Sequence, residues 1–375
     1  MVYLDNSATT PLSESAKKKI ADMLEIFGNP SSLHNEGLKA EKEITLAREA
    51  VAKSLGVRTD EVYFTSSGTE ADNIAILGGA RKNAKVGKKI ITTDSEHPAV
   101  SKPLEYLEGE GWEIIRLSTR GGVLDMAQLE RNLSPDISLV TVMRTNNETG
   151  AIYDVGSVAR AVKKVSPRAI IHSDCVQAYT KERLSLSSLG ADIISVSAHK
   201  AHGLKGTGAV IVKKGLVLPP HTYGGGQERN LRSGTENTMG IAVMGATVSE
   251  LTGDSTRLEY MKELYGYTVE TLGNISGVKL NIPETPCVSI VNISAEGYRS
   301  EVLLHKLSSD GIFVSSGSAC SAKKGKSGVL EAFGLTDRQA DGALRISLSH
   351  YNTKDDIDAL AKSLSQAMQS VARVR

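Results

Sequence analysis

Ile193-Ile194-Ser195-Val196-Ser197-Ala198-His199-Lys200 passes from an apolar run to a basic end. Gly203, Gly206 and Gly208 then lead into a second apolar run, Ala209-Val210-Ile211-Val212. Short runs that are apolar almost throughout suit strands covered on both faces. The same kind of run recurs upstream at Glu61-Val62-Tyr63-Phe64-Thr65, Lys89-Ile90-Ile91-Thr92, Ile114-Ile115, Leu139-Val140-Thr141-Val142 and Ala169-Ile170-Ile171-His172. Between several of them the spacing turns helical. Leu38, Ile44, Ala47, Val51 and Leu55 line one face over 35–55, with Gly56 as a stop, and a further helix is expected over 69–80. The alternation predicts an α/β fold with a mostly parallel sheet covered by helices on both faces. Beyond 250 the pattern changes. A charged helix over 254–268 precedes a strand pair near Val278-Lys279-Leu280 and Val288-Ser289-Ile290-Val291, then two helices and the strand Leu344-Arg345-Ile346-Ser347-Leu348. We expect a large domain over 12–250 and a smaller α+β domain made of 1–11 and 251–375.

Composition narrows the function classes. The 375 residues are 40% hydrophobic and 23% charged, with a formal net charge of +1, an ordinary globular balance. Lys and Arg are scattered rather than striped, which gives no reason to expect direct nucleic-acid binding. The start, Met1-Val2-Tyr3-Leu4-Asp5-Asn6, carries neither a basic leader nor an apolar core. No apolar stretch approaches the ~20 residues that span a bilayer. Three cysteines, Cys175, Cys287 and Cys320, are too few and odd in number for a disulfide framework. A cytoplasmic protein with free thiols, no membrane partner and no metal site is expected.

Four segments carry candidate chemistry. Ser66-Ser67-Gly68-Thr69-Glu70 lies between a predicted strand and helix, with capping-box spacing from Ser67 to Glu70. It reads either as an ordinary helix cap or as an anion cradle for a phosphate. Lys200 closes a buried-looking strand, where a charged, unpaired ammonium is costly. It is ion-paired, reaches solvent, or is neutralised as a Schiff base, with Ser197 and His199 beside it as phosphate donors. Asp174 ends Ala169-Ile170-Ile171-His172-Ser173-Asp174 and is followed by Gln177. At a strand's C-terminal edge it either caps the next turn or meets a ligand, where a carboxylate keeps a pyridine nitrogen protonated. Cys320 sits in Ser315-Ser316-Gly317-Ser318-Ala319-Cys320-Ser321-Ala322-Lys323-Lys324-Gly325-Lys326. Nearby lysines favour its thiolate, against the plain reading of an incidental cysteine in a surface loop. Cys175 and Cys287 read as core residues.

These stretches resemble the cysteine desulfurase family of class-V aminotransferase-like enzymes. The resemblance begins at Tyr3-Leu4-Asp5-Asn6-Ser7-Ala8-Thr9-Thr10 and Phe27-Gly28-Asn29-Pro30-Ser31-Ser32. It continues through Glu96-His97, Asn146-Asn147-Glu148, Asp174 with Gln177, Ser197-Ala198-His199-Lys200, Arg232-Ser233-Gly234-Thr235 and Ser316-Gly317-Ser318-Ala319-Cys320. It implies the three-layer, fold type I architecture of pyridoxal-phosphate transferases. It also implies conversion of L-cysteine to L-alanine, with the sulfur left on Cys320 as a persulfide. By that resemblance Lys200 bonds the cofactor covalently and moves the Cα proton. His97 stacks on the pyridine ring and helps move protons. Asp174 partners the ring nitrogen, and Gln177 and Asn147 bond the phenolic oxygen. Gly68, Thr69, Ser197 and His199 form the phosphate cup, which Thr235 reaches from the neighbouring subunit of a homodimer. Arg345, with Asn147, grips the substrate carboxylate.

The resemblance also implies a sulfur-acceptor protein, an iron–sulfur scaffold or a tRNA-thiolation enzyme. The Cys320 loop is lysine-rich and lacks the proline expected near 326, and Ala201-His202 departs from the family pattern. With the end at Arg375, short of the tail of housekeeping members, these departures bring tRNA thiolation forward beside iron–sulfur assembly. The rival readings are selenocysteine lyase or another aminotransferase-type activity, and a sulfur carrier without turnover.

Overall fold

The computed structural model describes residues 1–316 and 327–371. Its strands are β1 (Val2–Tyr3), β2 (Val62–Thr65), β3 (Lys89–Thr93), β4 (Glu113–Leu117), β5 (Ile137–Thr141), β6 (Ile170–Asp174), β7 (Ile193–Ser197), β8 (Gly208–Val212), β9 (Val278–Leu280), β10 (Ile290–Ala295), β11 (Ile312–Phe313), β12 (Ser315–Ser316) and β13 (Ala343–Ser347). Seven of them form one sheet in the order β2-β8-β7-β6-β5-β3-β4. Strand β8 runs antiparallel to both its neighbours and the remaining pairs are parallel. The mostly parallel sheet is therefore as expected.

The near-continuous apolar runs have a simple cause. Side chains alternate across a strand, and here each face meets its own helices. Ile91, Val140, Ile171, Ile194 and Ile211 enter one core with Val51, Val158 and Ile241, from helices Asn35–Leu55, Val155–Val165 and Thr238–Gly253. Their immediate neighbours Ile90, Leu139, Ile170, Ile193 and Val210 enter another with Ile74 and Leu104, from helices Gly68–Asn83 and Pro98–Gly109. Three layers result.

A second sheet, β12-β13-β10-β9, is antiparallel and packs on helices Thr256–Gly273, Ser300–Ser309 and Lys354–Ser370. The chain's beginning joins this part. β1 pairs with β11, Leu4 is buried in its core, and Asp5 bridges to Ser347. Local signals place most boundaries. Gly56 stops the first long helix with φ 63°, a conformation glycine reaches without strain. Glu61 is a correction to the expected strand. Thr59–Glu61 forms a 3-10 turn because the Glu61 carboxylate accepts from the Arg58 and Lys214 amides, at 2.7 Å each.

The closest crossing in the first layer is between helices Asn35–Leu55 and Thr238–Gly253. A Cβ on Gly245 would lie 2.5 Å from the Ala47 Cα, and neither backbone can step aside alone. Gly245→Ala should therefore destabilise the fold by about 1–3 kcal/mol, read as a lower urea midpoint. An unchanged midpoint would mean that the two helices do not pack this closely.

Candidate active site

The parallel strands end on one edge of the large sheet, and each gives the site a segment just beyond its C-terminal end. Ser67 and Gly68 follow β2, Glu96 and His97 follow β3, and Asn146 to Glu148 follow β5. Asp174 ends β6, and Ser197 ends β7 with Lys200 immediately after it. This edge is where open α/β sheets bind ligands.

Ser67 caps helix Gly68–Asn83 by accepting from the Glu70 amide at 3.1 Å. The expected capping box is altered, since the Glu70 carboxylate accepts from the Ser66 amide instead of the cap's own. The helix start is packed tightly. A Cβ on Gly208 would meet the Ser67 carbonyl carbon at 2.7 Å, and one on Gly68 would meet Val176 at 2.7 Å. Beside it the Ser197 hydroxyl is buried with no hydrogen-bond partner. Such an orphan is costly unless a ligand satisfies it. Backbone amides at a helix start plus an orphaned hydroxyl suit a phosphate. Thr69 stands exposed at the rim.

Asp174 is 6% exposed and accepts from the Val176 amide at 2.8 Å. Burial pushes its pKa up, and His97 and Lys200 partly offset this. His97 caps helix Pro98–Gly109, its Nδ1 accepting from the Ala99 amide at 3.1 Å, which leaves the proton of the neutral ring on Nε2. Burial lowers its pKa. The Lys200 ammonium donates to the Ser7 and Ala8 carbonyls, the latter at 2.6 Å. Gln177 also donates to the Ser7 carbonyl, at 2.9 Å. His199 shares its Nδ1 with the Thr9 hydroxyl at 3.2 Å, and burial pushes its pKa down to about 4.

Arg345, on β13, brings the second sheet to the same edge. It donates to the Asn147 carbonyl at 2.9 Å and to Asp5 at 2.9 Å, while its Nε is buried without an acceptor. A guanidinium with a donor to spare suits a carboxylate. Lys200, His97, Asp174, Gln177, Ser197, Gly68, His199, Asn147 and Arg345 are thus brought to one edge. Thr235 is not joined to them: it is exposed, in a turn tied to the cradle helix through Arg232 and Glu70, 3.1 Å apart. Cys320 lies outside the described residues. Cys175 and Cys287 are free and buried, as core residues.

Residues 2–360 match the family described as aminotransferase class-V. The chain belongs to that family. It is 37% identical over 381 residues to a cysteine desulfurase IscS of Dictyoglomus turgidum, covering 100% of this chain and 96% of that one. A solved NifS-like protein superposes with a TM-score of 0.93 at 36% identity, over 99% of this chain and 100% of the other. A structure described as SspA in complex with cysteine gives 0.83 at 28% identity, over 94% and 100%. Class-V aminotransferases of the desulfurase kind use pyridoxal 5'-phosphate. The residues here fit it: the cradle has a free hydroxyl for the phosphate, and Asp174 is a buried carboxylate for a ring nitrogen.

Sequence reasoning missed what lies beneath this edge. Asp72 and His172 are fully enclosed. Asp72 stands 3.5 Å from the His172 Nε2, and His172 is bonded to Ser195 at 3.0 Å and Thr141 at 2.8 Å. Burial, then the nearby Asp174 charge, pushes Asp72 well above the carboxylate range, and burial alone drops His172 to about 3. Glu96 accepts from Thr93 at 2.8 Å and from the Met143 amide at 2.9 Å, and burial raises it to about 8. For His172 the signal was a polar residue inside an apolar run, for Glu96 its place beside His97, and for Asp72 there was none.

Two measurements follow. Ser197→Ala removes a hydroxyl with no partner, so the cofactor-free protein should keep or slightly gain stability. Cofactor titration should weaken by about tenfold, the worth of one hydrogen bond to a charged group; unchanged affinity would remove Ser197 from the cradle. Glu96 binds its proton more tightly folded than unfolded. Its contribution is therefore full at low pH and declines as pH rises from 4.5 to about 8. Urea midpoints across pH 5–9 (about that span, set by the two proton affinities) should show this fall in the parent. Glu96→Gln should flatten it, and an equal slope in both proteins would place the titration elsewhere.

Proposed function

We propose that this chain is a cysteine desulfurase that converts L-cysteine to L-alanine and keeps the sulfur on Cys320. What carries the reading is the convergence at one edge of a half-buried amine, Lys200, a buried carboxylate, Asp174, and Arg345 with a spare donor. Identity of 37% across the full chain to a named desulfurase supports it.

Each residue then has a task. Arg345 and Asn147 hold the substrate carboxylate, which fixes the amino acid at the mouth of the site. Bound pyridoxal phosphate supplies an electron sink next to the substrate Cα. Asp174 would keep a proton on the ring nitrogen of the bound cofactor. His97 covers the ring face, and Gln177 and Asn147 reach its oxygen. Lys200 holds the cofactor at rest, then takes the Cα proton as general base. The Cys320 thiolate attacks the substrate sulfur: an S–S bond forms, the Cβ–S bond breaks, and a proton completes the methyl group of alanine. Cysteine and one thiol become alanine and one persulfide, with no external oxidant.

The reading extends to a homodimer, in which Thr235 of one copy reaches the phosphate held by Gly68, Ser197 and His199 of the other. It includes a protein acceptor for the sulfur, an iron–sulfur scaffold or a tRNA-thiolation enzyme, and a reducing compartment, the cytoplasm. The free, buried Cys175 and Cys287 accord with the last point.

Purified protein given L-cysteine and a reductant should release alanine and sulfide in equal amounts. Lys200→Ala should lose this turnover along with the visible band of the bound cofactor. Cys320→Ser should keep the cofactor's colour and lose persulfide formation by mass spectrometry. If Cys320→Ser makes persulfide at the parent rate, the sulfur is received elsewhere.

A further inference from the structure

A partly open cavity lies beside Lys200, between the two cores. Its wall includes Lys181, Lys200, His202, Arg257, His350 and Asn6, and no acidic side chain among the described residues. Lys181 follows the turn after β6 on the large-sheet side. Arg257 begins helix Thr256–Gly273 on the other side. The cavity volume is ≈ 20 Å³, room for about one small particle.

The charges around it are unbalanced. Arg257 is 8% exposed, and one terminal nitrogen donates to the Thr180 carbonyl and to the Leu251 carbonyl at 3.0 Å. Its Nε has no acceptor. Lys181 donates to the Gln177 side chain at 3.1 Å. Neither cation forms an ion pair among the described residues. Close packing pushes the Lys181 ammonium down to about 8. His202 is held in the left-handed region at φ 61°, with its Nδ1 donating to the Pro11 carbonyl at 2.9 Å. His350 stacks edge-on against it, ring centres 5.1 Å apart. Both imidazoles are pushed to about 4, first by burial and then by positive neighbours. Asp254 and Glu250 act on Arg257 and His350 from a distance, and Glu182 and Cys287 act on Lys181. A buried cation without a counter-charge is expensive.

We infer that this space, between Lys181 and Arg257 with the rings of His202 and His350 in its wall, is a binding site for a small inorganic monoanion of chloride size. The anion accepts from the Arg257 Nε and balances Lys181. The bound ion links the large-sheet side to the small-sheet side and stabilises the folded protein in proportion to its occupancy. This inference stands without the desulfurase reading, and neither test below depends on turnover.

The test uses cofactor-loaded protein. Crystals grown with sodium bromide should give an anomalous peak within hydrogen-bonding reach of the Arg257 Nε. In solution, replacing gluconate by chloride at equal ionic strength should raise the thermal midpoint by several degrees. Lys181→Met and Arg257→Gln should each lose that rise. Should Arg257→Gln fail to fold, Lys181→Met and the bromide map decide. Bromide found only elsewhere, or a chloride response as large in Lys181→Met as in the parent, overturns the inference.

Discussion

The site depends on a half-buried amine, Lys200, being held near a buried carboxylate, Asp174, at the ends of parallel strands. Burial opposes the Asp174 charge. Asp174 is pushed up by burial and drawn back by Lys200 and His97. Lys200 is steadied by the Ser7 and Ala8 carbonyls. Those carbonyls come from a segment whose Leu4 is buried in the other core. Thr10 and Ser13 of the same segment bond to the turn at 199–202. The amine's setting is therefore shared between the two cores, and so is Arg345, which reaches from β13 to Asn147.

Beneath the edge, the sheet carries other titratable groups that are kept neutral. Raised Asp72 and Glu96 hold protons and depressed His172 lacks one. Hydrogen bonds to Thr141 and Ser195 satisfy His172, and Thr93 bonds one Glu96 oxygen, while one oxygen each of Asp72 and Glu96 stays unpartnered. The field reaching Asp174 thus comes mainly from the two groups at the edge. A neutral floor with charge confined to the edge suits a site that keeps one proton on a ring while moving another.

Much of this was legible from residue order, for physical reasons. Paired apolar neighbours such as Ile193-Ile194 and Val210-Ile211 serve opposite faces of one strand, so sheet class could be read directly. Lys200 and Asp174 stood out because charge at the end of such a run demands a partner. Other features were hidden because they join distant segments. Nothing near Arg345 names Asp5 as its partner, 340 positions away. Asp72, on helix Gly68–Asn83, and His172, on β6, meet only once the helix packs on the sheet. Glu61 read as strand because its carboxylate's two amide partners are not visible locally. Thr235 is exposed, and no hydrogen bond joins it to that edge among the described residues.

The central claim is that the cofactor is bonded to the amine at the end of β7. Borohydride reduction of the cofactor-loaded protein, followed by proteolysis and mass spectrometry, makes that bond permanent and locates it. The account predicts the added mass on the peptide containing Lys200. The adduct on Lys181, the other lysine lining the space behind the site, or on a surface lysine would contradict it.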